Sequence, residues 1–168
     1  MLYSRIESAL NTCRSHVGRL DPTDIKDKEL ETYLVGGLVV LIVSEYEDYL
    51  ESVFVRRAEK CGDPCATNYI KRTLAQKFRS PDLSKITNTL QLFDTAYNDE
   101  FKNEITNSPE HAAWDSLMKA RHAVVHKKGA LNLTFRELLE NYDKTKKVIK
   151  KVESTLGVHT IIECQAHE

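Results

Sequence analysis

All four prolines of this chain follow a residue that caps helices: Asp21-Pro22, Asp63-Pro64, Ser80-Pro81 and Ser108-Pro109. Asp and Ser accept the orphan N–H groups of a first helical turn, and a proline next to them has no N–H to waste and a preset φ. The pairs therefore read as helix starts. Thr134 with Glu137 adds a capping box, flanked by Leu133 and Leu138 at the spacing of a hydrophobic staple. Between these starts the apolar residues recur at helical spacing. A first helix is expected over Leu2 to Val17 and a long second one from Asp24 or Lys28 to Lys60, stopping at Gly62, with Gly36-Gly37 as a place to kink. A third is expected over Pro64 to Arg79, a fourth over Pro81 to Ile105, a fifth from Pro109 to Gly129, and a last over Phe135 to Leu156. Val158-His159-Thr160-Ile161 is read as a packed or frayed end rather than a strand. The expected fold class is all-α: a helical bundle of about five to six helices, one domain over residues 1–157 with a tail at 158–168.

With 168 residues, 41% of them apolar, the chain can bury a real core. Its longest apolar run, Leu34 to Val43, is half the roughly 20 residues a bilayer demands, so it reads as a central core helix and not an anchor. A formal net charge of -1 excludes nucleic-acid binding by bulk electrostatics; any RNA must be held by a local patch. Cys61 and Cys65 form C-x3-C without a second pair, and Cys13 and Cys164 stand apart, which suits thiols in a reducing cytoplasm. Arg5 and Glu7 interrupt the N-terminal apolar residues, unlike a secretory signal, so the expected location is cytoplasmic.

Two charged residues fall on apolar lines. Arg121 lies one turn after Leu117 and one turn before Val125; Glu47 lies on the line of Val40, Val43, Leu50 and Phe54. A charge in such a place is costly unless paired. Glu47, or failing it Glu45 or Asp48, is therefore expected to orient Arg121. A plain salt bridge fixing helix packing is the competing account of the same pair. Arg121 and His126 stand about 140° apart around their helix, so they flank a cleft rather than stack. His126 falls in the last turn before Gly129, where the helix dipole favours imidazolium, while Lys127 and Lys128 oppose it. Histidine is the usual proton shuttle near neutrality, and arginine the usual clamp for a phosphodiester.

Arg121-His122-Ala123-Val124-Val125-His126 resembles the R-x4-6-H signature of HEPN domains, and the chain is similar to the compact prokaryotic RiboL-PSP and MAE-type members. The order of helices agrees, with a long apolar helix ending in Ser44-Glu45-Tyr46-Glu47 before a late helix carrying the motif. The resemblance implies a helical bundle that homodimerises and places two motifs in one composite cleft. It implies a metal-independent endoribonuclease without cofactor, of the toxin–antitoxin or phage-defence kind, with an antitoxin or regulatory protein as a further partner. Arg121 and His126 would be catalytic, with His122 beside the arginine and Glu47 in support. Lys127 and Lys128 would hold the RNA backbone. The lysines of the last helix, Lys144, Lys146, Lys147, Lys150 and Lys151, read first as a solvated face.

Other readings carry less. His122 and His126 are i, i+4, with His111 and Asp115 on roughly the same face, yet H-A-V-V-H lacks the glutamate of a zincin, and no metal is expected. No P-loop and no nucleophile elbow occurs. Tyr46 and Tyr49 suit packing better than base stacking. The runner-up function is a non-catalytic HEPN-like module that binds a protein partner or nucleotide through the same cleft.

Overall fold

The computed structural model describes residues 2–126 and 131–158. Among them the chain forms seven helices: α1 (Leu2–Val17), α2 (Ile25–Glu59), α3 (Pro64–Lys77), α4 (Leu83–Phe93), α5 (Thr95–Ile105), α6 (Pro109–His126) and α7 (Phe135–Thr155). The tail beyond Val158, with Cys164 and the alternation from His159, lies outside the described residues, as do Lys127, Lys128 and Gly129.

Two of the four proline pairs start helices as expected. Asp63 accepts from the N–H groups of Cys65 and Ala66 ahead of α3, with Pro64 in the first turn. Ser108 Oγ accepts from His111 N–H at the head of α6. The other two pairs do something else. Asp24, not Asp21, caps α2, while Asp21 folds a turn by accepting from Thr23 N–H. Asp82 caps α4 by accepting from Lys85 N–H, which leaves Ser80-Pro81 in the connection before it. The capping box at α7 is present in both directions, Thr134 to Glu137 N–H and Glu137 to Thr134 N–H.

The expected fourth helix is two helices. Asp94 adopts an extended conformation (φ -163°, ψ 137°), ending α4 with its backbone N–H on Leu90 and starting α5 with its side chain on Ala96 N–H. Local sequence carries no proline or glycine here, so periodicity alone ran through the corner.

α2 is the central element. It is one unbroken helix of 35 residues, and α1, α3, α6 and α7 all pack against it. Val35, Val39, Ile42, Val43, Tyr46, Leu50, Val53 and Phe54 are fully buried, as its apolar run demanded. Tyr46 stacks on Trp114 of α6, ring centroids 5.4 Å apart, and its hydroxyl meets Thr145 of α7 at 3.0 Å. Burial pushes that phenol's pKa well up, so it stays protonated. Removing Trp114 to alanine would cost about 3–5 kcal/mol. α6 passes α2 at Gly36, where a Cβ would meet Val124 Cγ2 at an ordinary contact distance of 3.4 Å. These contacts clamp the motif-bearing helix along α2. No helix among the described residues is long and apolar enough to cross a membrane.

Candidate active site

The motif lies in the last two turns of α6, and its residues divide into two groups. Arg121 is half-buried and turns toward the short connection between α3 and α4, residues 79–82. Its Nη1–H donates to Ser80 Oγ. Its Nε–H is buried without a hydrogen-bond partner among the described residues. His122 and His126 are exposed and lie together, ring centroids 4.4 Å apart and tilted by 47°.

Glu47 is 7% exposed, the misplaced carboxylate that its apolar line foretold. The expected direct pair with Arg121 is replaced by another arrangement. Glu47 Oε2 accepts from Ser80 N–H at 2.9 Å, and Oε1 accepts from Arg79 Nη1–H at 3.2 Å. Glu47 and Arg121 therefore grip the same serine, one by its backbone and one by its hydroxyl. The alternatives fail on geometry: Glu45 pairs with Arg5 of α1 at 2.7 Å, and Asp48 is exposed. Helix phase explains this, since residues 45 and 48 turn away from the side that α6 and the connection cover.

The connection is built tightly. Trp114 Nε1–H donates to the Pro81 carbonyl at 2.8 Å, and Asp82 N–H to the Ser80 carbonyl at 2.8 Å. Lys85 Nζ reaches the carbonyls of Arg79 and Ser80. Ser80 holds φ +46°, in the left-handed region. A non-glycine residue there costs roughly 1–2 kcal/mol, which the surrounding bonds offset. Ser80 is the site residue that sequence reasoning missed, because Ser-Pro looked like a helix cap. The available signal was a surplus: two capping residues, Ser80 and Asp82, stand before a single helix.

A groove of about 340 Å³ runs along the outside of α6 between Asp82, Asp115, Met118, Lys119, His122 and Ala123. It opens His122 to solvent beside the 79–82 connection, with two carboxylates and one amine on its walls. Among the described residues no cluster of three potential metal ligands occurs. His111 is engaged elsewhere: its Nδ1 accepts from Asn107 N–H at 3.2 Å and its Nε2 faces Asp115 at 3.6 Å. Tyr46 is core, and the half-buried Tyr49 donates its hydroxyl to Glu153 and lies under the Arg56 guanidinium. On α7, Lys147 pairs with Glu110, and Lys151 pairs with Glu100 and Glu104, which ties those lysines to neighbouring helices.

The RiboL-PSP-HEPN family profile matches residues 3–157, nearly the whole chain. The chain belongs to the HEPN family. Membership points to a nuclease or RNA-related function. Searches of curated proteins and of solved structures returned no match. In this HEPN protein the two motif ends differ in kind. The arginine is fixed by the fold, and the histidines face outward at the helix end.

Proposed function

We propose that this HEPN protein is a metal-independent endoribonuclease acting as a homodimer. The observation that carries the reading is the pairing, on one helix end, of an arginine locked by Ser80 with two exposed histidines one turn apart. The chemistry that suits these groups is transesterification. The RNA 2′-hydroxyl loses its proton to one imidazole and its oxygen bonds to the adjacent phosphorus. The bond from phosphorus to the 5′-oxygen breaks, and that oxygen takes a proton from a second, protonated imidazole. Arg121 stabilises the charge that builds on the phosphoryl oxygens. The products are a 2′,3′-cyclic phosphate and a 5′-hydroxyl, and DNA resists because it lacks the nucleophile.

Support for a second copy comes from the face next to the motif. Tyr33 is 77% exposed, and Leu30 and Val125 are each 46% exposed. Gly37 has nothing within 4 Å of the place its Cβ would occupy. This apolar strip adjoins the Gly36–Val124 crossing, so a self-complementary dimer across it brings two sets of histidines into one cleft. A toxin or phage-defence role, a cytoplasmic location and an antitoxin or regulatory partner complete the proposal.

The test is cleavage of total cellular RNA by purified protein in EDTA, beside Arg121→Ala and His126→Ala proteins shown to be folded. Cyclic phosphate ends from the wild type and none from either variant are expected. Intact RNA after long incubation with folded wild-type dimer sinks catalysis and favours the binding-module reading.

A further inference from the structure

The 79–82 connection has more built into it than joining α3 to α4 requires. Ser80 sits at φ +46°, where glycine is relaxed and serine is not. Each of its polar groups is used. The N–H meets the buried Glu47 carboxylate, the carbonyl takes Asp82 N–H and Lys85 Nζ, and the hydroxyl takes Arg121 Nη1–H. Its neighbour Pro81 is fastened to the fully buried Trp114. A glycine would keep the backbone bonds and relax the turn; only the hydroxyl would be lost. What the strained serine provides, then, is a fixed oxygen for Arg121.

We infer that Ser80 is a positioning residue for Arg121, transmitting the placement of Glu47 to the guanidinium so that it is held in one orientation for the scissile phosphodiester. The inference rests on the ribonuclease reading above. Ser80 touches neither substrate nor reacting atoms. It holds the arginine in one orientation before RNA arrives, so the electrostatic stabilisation of the transition state needs no reorganisation. Glu47 thereby acts on Arg121 through one intervening residue, and that accounts for a buried carboxylate on α2 that makes no contact with the arginine it serves.

The experiment compares Ser80→Gly and Ser80→Ala in the full chain, using an end-labelled oligoribonucleotide that contains a cut site mapped in total RNA. The two variants part company in stability. Glycine relieves the positive φ and melts at or above the wild-type temperature, whereas alanine keeps the strain and melts lower. In activity they agree: kcat falls by roughly 10- to 100-fold in both, with KM nearly unchanged. Cleavage that tracks the hydroxyl and not the melting temperature supports the assignment. A Ser80→Gly protein that cuts at the wild-type rate overturns it while leaving the ribonuclease function standing. A loss confined to KM also overturns it, since Ser80 would then be holding substrate. Folded wild-type dimer that leaves the oligonucleotide intact removes both readings together.

Discussion

The two ends of the R-x4-H motif are five residues apart and live in different surroundings. Arg121 is half-buried, bonded to Ser80, and backed by Glu47 and the Trp114–Pro81 bond. His126 is exposed in the last described turn of α6, with His122 as its near neighbour. The contrast suits what the proposed reaction asks of each group. A clamp for developing negative charge works best when already oriented, so a guanidinium benefits from being built into the fold. A proton shuttle has to change charge during the reaction, and burial would penalise that change. The fold thus completes one end within a single chain and leaves the other exposed, where the proposed function places substrate and a second copy.

The largest effect that can break this comparison is on cleavage. His126→Ala is expected to lower it by about 10²- to 10⁴-fold while leaving the urea midpoint where it was, because the side chain is exposed. Arg121→Lys should cost about as much as removing one oxyanion donor, roughly 10²-fold or more, since a lysine has no planar fork. If the lysine variant cleaves normally, the arginine's fixed orientation is irrelevant and the contrast collapses.

Next comes the proposed dependence of the open end on a second copy. Tyr33→Asp places a charge on the exposed apolar strip and is expected to turn dimer into monomer in sedimentation. Cleavage falls with it, and the circular dichroism spectrum stays helical. A fully active monomer would mean that one chain's histidines suffice.

A stability effect follows on the built-in end. Glu47→Ala strips Ser80 N–H of its acceptor and Arg79 of its partner. Leaving a buried donor unsatisfied costs about 1–3 kcal/mol, to be read from chemical denaturation. An unchanged midpoint would show that Glu47 does not anchor the connection.

The smallest effect concerns neither end and serves as the control. Lys151 lowers the pKa of the Glu100 carboxyl by hydrogen bond and charge, and Lys147 does the same for Glu110. A lowered folded value means that this stabilisation is present above the ordinary value of 4.5 and fades as pH falls through the lowered one. Acid titration of melting temperature should therefore show a slight decline beginning near that pH, smaller in Glu100→Gln protein. Glu100 is exposed, so solvent screening keeps its share of the effect small.

Much of the helix plan was legible because caps are local. The Thr134–Glu137 box, the Asp63-Pro64 start and the end of α1 at Val17 each depend on a few neighbouring residues. Arg121 and Glu47 were legible as anomalies, being charges on lines that packing makes apolar. Their mutual contact was not. Which group meets a buried charge depends on where a third segment passes, and residues 79–82 pass between α2 and α6 for reasons that no local window contains. The corner at Asp94 was missed for a related reason: Leu92 and Phe93 extend the helical rhythm up to it, and only an aspartate before Thr95 marked a fresh cap. Lys127 and Lys128 lie outside the described residues and stay proposals for holding the RNA backbone.

That corner at Asp94 has a consequence for how the chain can change length. One residue ends α4 and begins α5, so no slack lies between them to absorb an insertion or a deletion. Adding a residue on the α5 side would rotate everything after it by about 100° about the helix axis. Phe101 and Ile105, both now in the core, would swing toward water, and Glu100 would leave Lys151. The turn at Arg19–Thr23, by contrast, is exposed along most of its length and joins α1 to α2 with room to spare. Length variation in this protein is therefore expected to be tolerated before α2 and refused at Asp94, although both are simply places where one helix gives way to the next.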